Sequence, residues 1–336
     1  MTAPVAADRP FEVHRWNAKA RITVWSFAAV CALLALAPFW GTQGFMSRAI
    51  LLFVYVLLSV TWNALAGYAG LMSVGQQAFI GLGAYVAIRL SNAGVPAFAA
   101  LVLAPVAVAL ISLPVSIIML KLRGGEFAIG MWVLAFTFHL AVNLDPLIQG
   151  ETGISLIALN AYDPVTRMDA IYLMALASAA GVVVGMVLLL RSRFGAALQA
   201  IRDNEEAAAS IGVQVFRTKQ VVFVFAAFGA ALAGSLWLAA TVSFQPKAYF
   251  GVQWMAYTIF MVIVGGIATF EGAIIGAVIF FAIEALLGDW GVWYLIVLGA
   301  SAIVCALLFP KGIWGYLRAR YGLFLLPIGR TLTVNE

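Results

Sequence analysis

Ten apolar stretches, most of them about 17 to 25 residues long, decide what this chain can fold into, because runs of that length cross a hydrocarbon layer about 30 Å thick as helices. They fall at 22–40, 47–66, 75–92, 96–120 and 127–143, and after a polar interval at 169–190, 219–243, 252–266, 272–288 and 291–309. Only 10% of the 336 residues are charged and 64% are hydrophobic, against about 25% charged in a soluble globular protein. A chain this apolar has too little polar surface to face water, so its solvent is lipid. The expected fold is all-α: a polytopic membrane protein of about ten transmembrane helices. Glycines make 75–92 and the pair within 252–288 short or broken.

Lysines and arginines orient such a bundle, since they collect in cytoplasmic loops. With the N-terminus inside and ten crossings, the inner group holds Arg9, Arg15, Lys19, Arg21, Lys121, Arg123, Arg191, Arg193, Arg202, Arg217, Lys219, Lys311, Arg318, Arg320 and Arg330. Only Arg48, Arg89, Arg167 and Lys247 fall outside, a split of 15 to 4 among 19. The expected topology is therefore N-in, C-in, with a cytoplasmic tail at 1–21, a transmembrane domain at 22–310 and a second cytoplasmic tail at 311–336. Ala35-Leu36-Ala37 imitates a signal-peptidase site, but Pro38 follows it directly and the run is long enough to span. It is read as an uncleaved first helix.

The net charge of +5 does not point to nucleic acid, because the charges sit in clusters between apolar runs and form no basic face interleaved with aromatics. Cys31 and Cys305 both lie in apolar stretches, and neither they nor His14 and His139 show metal-ligand spacing. No residue set has a catalytic or metal-binding pattern. A phosphate-cradling G-x-x-x-x-G-K-[ST] loop is absent, so any ATP chemistry must belong to another polypeptide. An ion-coupled carrier acting alone would keep ionisable groups inside its helices. The candidates for that rival reading are Glu126, Glu271 and Glu284. A membrane enzyme would need a nucleophile, a base or metal ligands clustered together, which the sequence does not offer.

Two stretches lie outside the lipid. Residues 144–168 form an acidic external loop, and 191–218 a cytoplasmic segment read as one helix around 196–212. Leu198, Ile201, Ala208 and Ile211 give that helix an apolar face, and Gly212 stands at its C-cap. Glycine-rich breaks at 67–83 and 265–276 hold Gly67, Gly70, Gly75, Gly265, Gly266 and Gly272. They take roughly corresponding places in the two halves, as in an internal inverted repeat. Polar residues in or beside apolar helices, Asn63, Gln76, Gln77, Thr137 and His139, either line a translocation path or bond to neighbouring helices.

Five motifs in order resemble one family. Leu190-Arg-Ser-Arg-Phe-Gly to Val221 looks like the cytoplasmic loop of branched-chain amino-acid ABC permeases, and Glu206-Ala207-Ala208, three residues, then Gly212 matches the EAA-x3-G core of importer coupling loops. The Ile-x-Leu-Pro that ends this motif in many importers is missing. Asn63-Ala-Leu-Ala-Gly-Tyr-Ala-Gly-Leu-Met-Ser-Val-Gly-Gln-Gln to Tyr85, Leu122-Arg-Gly-Gly-Glu-Phe-Ala-Ile129, Gly150-Glu-Thr-Gly-Ile-Ser-Leu156, and Gly265-Gly266 with Gly272 and Gly276-Ala277 are similar to further family segments. The likeness runs from about residue 45 to 315 and is greatest to the LivM-type subunit.

The resemblance implies a permease subunit of an ABC importer in a bacterial inner membrane, without an ATPase site of its own. It further implies a second, LivH-like permease, two cytoplasmic ATPase subunits that hold ATP and Mg, and a periplasmic substrate-binding protein. No cofactor is expected in this chain. The cargo it implies is a branched-chain amino acid, or a related solute such as urea, an amide or an aromatic acid. Coupling to the ATPases would fall to Arg202, Asp203, Glu205, Glu206, Ala207, Ala208 and Gly212.

Overall fold

Backbone amides cannot stay unpaired in hydrocarbon, so an apolar run has to close its hydrogen bonds within itself, and these runs do so as helices. The computed structural model describes residues 11–14, 18–309, 311–321 and 331–334. Arg9, Arg15 and Arg330, counted above with the inner charges, lie outside the described residues. A short strand β1 (Phe11–His14) precedes α1 (Ala18–Ala35) and a single turn α2 (Ala37–Trp40) with Pro38 at its start. α3 (Gln43–Asn63) continues into a π-helical turn, Ala64–Tyr68. After an irregular stretch come α4 (Gln77–Asn92), α5 (Ala97–Met119) and α6 (Gly124–Asn143). A connection holding β2 (Ile154–Ser155) leads to α7 (Pro164–Arg191), α8 (Arg193–Asp203) and α9 (Glu205–Ser210). α10 (Val215–Thr241), β3 (Ser243–Phe244), α11 (Pro246–Tyr249) and α12 (Gln253–Gly265) follow. The chain then passes through α13 (Phe270–Leu287), α14 (Val292–Leu308), α15 (Gly312–Tyr321) and β4 (Thr331–Val334).

Among the described residues the fold is all-α apart from two antiparallel pairs, β1 with β4 and β2 with β3. Among the described residues, eight helical stretches are at least 18 residues long and apolar enough to cross a membrane. They account for eight of the ten runs. The other two are shorter: the apolar part of α1 spans Arg21–Ala35, and α4 has 16 residues. At 1.5 Å per residue α4 reaches only about 24 Å. The irregular residues 70–76 precede it. Leu71, Ser73, Gly75 and Gln76 there are buried in protein, the condition under which non-helical backbone is tolerated at membrane depth.

One boundary moves for a local reason. α7 begins at Pro164, five residues ahead of the apolar run, because Asp163 caps it. Its Oδ2 accepts the Val165 and Thr166 amides at 3.1 and 3.3 Å. The predicted external loop 144–168 is shorter by that turn.

α3 and α10 form the centre of the bundle. α3 packs on α7, α10 and α13, while α10 also packs on α4 and α5. Small residues set how closely these helices approach. Gly83 of α4 faces the Ala231 carbonyl and Gly234 of α10 faces the Ile80 carbonyl, each so closely that a Cβ would overlap it. The Ser235 hydroxyl closes the same seam by donating to the Gly83 carbonyl at 3.2 Å. At the periphery, α6 leaves Ile129, Trp132, Phe136 and Leu140 exposed, and α14 leaves Ile296, Ile303 and Leu307 exposed. In a bilayer these apolar faces need no cover from the chain itself.

Gly234→Leu should therefore force α4 and α10 apart and cost about 3 kcal/mol or more. The expected result is loss of folded protein in detergent, read by thermal unfolding. Gly299→Ala, on a face of α14 with open space around it, should leave the unfolding temperature unchanged; equal behaviour of the two variants would refute the seam.

Candidate functional site

The two glycine-rich breaks, about 200 residues apart in sequence, meet in the structure through one side chain. Asn63, at the last position of α3, donates from Nδ2 to the Thr269 carbonyl at 2.9 Å and accepts the Ala268 amide on Oδ1, also at 2.9 Å. Gly67, in the π-helical turn, lies so close to Asn63 Oδ1 and the Ala268 backbone that no side chain would fit. On the other side α12 ends at Gly266, whose φ of +130° is costly for any residue with a Cβ. Ala268 itself takes a φ of +61°, a conformation the Asn63 clasp helps to hold. Gly70 turns the chain with a φ of +69°, and Gly75 lies against the Met131 backbone of α6. Gly272 belongs elsewhere: it lies inside α13, where it packs on Gly265, so the second break is confined to 266–269.

The segment expected as one helix over 196–212 is two. Ser192 caps α8 by accepting the Phe194 amide at 3.1 Å. Asn204 then goes extended, with φ −159°, and its Oδ1 accepts the Ala207 amide at 2.9 Å to start α9. Asparagine side chains compete with the helix backbone in this way, so the chain turns there. Leu198, Ile201 and Ala208 are buried as the apolar spacing implies, but the turn leaves Ile211 78% exposed. Gly212, with φ +87°, ends α9 in the left-handed conformation that favours glycine.

The charged residues of this segment do not all face outward. Arg202 donates from Nη1 to the Gly67 carbonyl at 3.1 Å, while its Nε and Nη2 hold Asp203 Oδ1 at 3.1 and 3.0 Å. Glu205 pairs with Lys219 of α10 at 2.6 Å, so α9 is tied to the start of that helix. A cavity of about 250 Å³ lies between these residues, Arg123 and the loop at 69–71. Glu206, Ala207 and Gly212 are exposed.

The remaining polar residues do not share one wall. Gln76 and Gln77 are buried beside the first break, where Gln77 Nε2 donates to the Val74 carbonyl at 3.2 Å. Thr137 lies on the exposed face of α6 and donates to its own helix, at Val133, 2.9 Å away. His139 lies near the far end of α6, stacked on Phe250 with ring centroids 5.6 Å apart. There its Nε2 meets Glu151 Oε1 at 2.8 Å, and the Lys247 amide donates to Glu151 Oε2 at 2.9 Å. Glu151 was legible only as a loop charge; the fold makes it the link between α6 and α11. Asp145 has the same role nearby, accepting from Tyr85 Oη at 2.7 Å and from Arg89 Nε at 3.0 Å. Burial pushes the Asp145 carboxyl up, but Tyr85, the Leu147 amide and Arg89 together hold it below its usual value. Glu151 is likewise held low, by Asn143, the Lys247 amide and His139 acting against burial. Within the bundle, Glu284 Oε2 accepts from the Tyr55 hydroxyl at 2.7 Å.

A family model described as branched-chain amino acid transport system / permease component matches residues 45–307. The chain is similar to the high-affinity branched-chain amino acid transport system permease protein LivM of Escherichia coli, 26% identical over 312 residues that cover 84% of this chain and 73% of the relative. The Salmonella typhimurium LivM protein matches to the same extent. The fructose import permease protein FruG of Bifidobacterium longum is also 26% identical, over 79% of this chain and 82% of its own length. No solved structure matches.

Asn63→Leu strands the Ala268 amide and the Thr269 carbonyl in a partly buried place, where an unsatisfied group costs up to about 1–3 kcal/mol. A clear drop in unfolding temperature is expected, and an unchanged one would show that the breaks are held together by something else. The acid limb of the stability curve has a sign as well. The folded-state values of Asp145 and Glu151 lie below the ordinary carboxylate range, so their contribution is present above about pH 4 and is lost as pH falls through the folded values. Asp145→Asn should flatten the loss of thermal stability between neutral and strongly acid pH; an unaltered acid limb would count against the assignment.

Proposed function

The chain belongs to the permease family of branched-chain amino acid transport systems, and on that premise we propose that it is the membrane-spanning subunit of an ABC importer powered by separate ATPase chains. One observation carries the mechanism. Arg202, in the segment resembling importer coupling loops, donates to the carbonyl of Gly67 in the first helix break. That break in turn is clasped to the second by Asn63. A push on α8 and α9 from the cytoplasm would thereby reach both helix breaks. The exposed surface of Glu206, Ala207 and Ile211 is where an ATPase subunit would press.

The orientation that fits is N-in and C-in. It rests on the lysine and arginine split, and the β1–β4 pair supports it by setting Phe11–His14 beside Thr331–Val334. Arg89, Lys247 and the Asp145 and Glu151 loop then lie on the periplasmic side, with Arg202 and Lys219 on the cytoplasmic side. The membrane is a bacterial inner membrane. A second permease subunit would cover the exposed α6 face that carries Thr137, two ATPase subunits would hold ATP and Mg, and a periplasmic binding protein would deliver the solute. The cargo is a branched-chain amino acid or a related small solute. Names among the relatives support the class and also include a sugar permease.

Reconstitution tests this. ATP-dependent uptake is expected only when the second permease, both ATPases and the binding protein are present, and Glu206→Lys or Gly212→Trp should abolish it while the chain still inserts. The chain alone in liposomes should accumulate nothing under a proton or sodium gradient. Accumulation that Glu284→Gln abolishes would replace the ABC reading with a proton-coupled carrier.

A further inference from the structure

Two kinds of buried amide flank the first break, and their surroundings treat them oppositely. Asn63, 1% exposed, has both its donor and its acceptor engaged by Thr269 and Ala268. Gln76, 3% exposed, has no hydrogen-bond partner at Oε1 or Nε2, and Gln77 Oε1 has none either. A buried amide without partners destabilises the fold that holds it, and isosteric apolar residues would avoid the cost. Gln76 is also the residue on which α4 opens. α4 has 16 residues, so its N-terminus sets the positive end of a full helix dipole beside that amide. The neighbouring Gly75 is pressed on the Met131 backbone, which holds this part of the loop against α6. Trp62, whose Nε1 donates to the Ser73 carbonyl at 2.9 Å, fixes the loop from the other side. None of these neighbours carries a negative charge.

We propose that Gln76 and the N-terminus of α4 form the subsite that receives the carboxylate of the transported solute, in a state where the loop 70–76 has moved off α6. The inference rests on the transport reading above and adds the chemistry of one contact. A helix N-terminus inside a membrane favours an anionic group, and broken helices in transporters use theirs in this manner. The primary amide adds N–H donors without a fixed positive charge. A carboxylate held by neutral donors is bound more loosely than by an arginine fork, which suits a site that must also release it. In the conformation described the amide is closed off from solvent, and its missing hydrogen bonds bias the loop toward opening.

Gln76→Met separates this role from a structural one, because methionine is close in volume and leaves nothing unpaired. The purified complex carrying it is expected to unfold at a higher temperature than wild type, while ATP-dependent leucine uptake falls by about tenfold or more, the loss typical of removing a polar group that reads a substrate. Leucine should raise the unfolding temperature of the wild-type complex. Leucinol and fructose, which lack the carboxylate, should not, and the variant should respond to none of the three. Gln76→Leu provides the same comparison should the methionine variant fail to accumulate. Uptake retained by the variant, an equal response of wild type to leucine and leucinol, or no response to leucine would each overturn the proposal. Failure of the wild-type complex to take up leucine, an amide or an aromatic acid on ATP would instead sink the transport reading, while the unfolding comparison of Gln76→Met with wild type would still report whether the buried amide is left unpaired.

Discussion

The structure depends on how it satisfies backbone hydrogen bonds where its helices stop inside the bundle. In hydrocarbon an open amide or carbonyl has no water to turn to, so a break in a spanning helix survives only if protein groups take its place. Asn63 does this for the second break, with one bond to the Ala268 amide and one to the Thr269 carbonyl. Arg202 does it for the first, at the Gly67 carbonyl. The glycines follow from those two contacts: Gly67 is small because Asn63 and Ala268 need to reach past it, and Gly266 is achiral because α12 has to end abruptly.

The same arrangement connects the bundle to its cytoplasmic edge. α8 lies on the protein through Leu198 and Ile201, and α9 is tied to α10 by the Glu205–Lys219 pair. The segment is thus anchored on one side and open on the other, where Glu206, Ala207 and Ile211 face outward. Such a segment can receive force and pass it on, because one of its inner contacts, from Arg202 to the Gly67 carbonyl, ends on a helix break. The opposite edge is built differently. Asp145 and Glu151 join α4, α6 and α11 through short polar contacts that fix the loop between α6 and α7 in place.

Sequence and structure part company at particular residues. The apolar runs became helices because each can satisfy its own backbone, a local requirement that a reading of hydropathy captures. The cytoplasmic helix was expected to continue through 204, and it does not, because the Asn204 side chain bonds the Ala207 amide and outcompetes the helix at that point. Periodicity is blind to this, since it counts apolar positions and not caps; Ile211 was misplaced for the same reason. Gly272 fell in the apparent second break from glycine density alone, while its place within α13 follows from packing on Gly265.

The sequence alone determined the solvent, the all-α class, the resemblance to a permease family and the segments where helices would be interrupted, because composition, run length and local motifs act within a few turns of chain. Which interrupted segments meet was decided only by the tertiary structure. That Asn63 closes on 268–269, that Arg202 turns inward to Gly67, and that Gln76 is buried with no partner while Asn63 has two are facts about residues distant in sequence. A side chain's hydrogen-bond capacity can be read from its type, but whether that capacity is used depends on what the fold brings within about 3 Å of it.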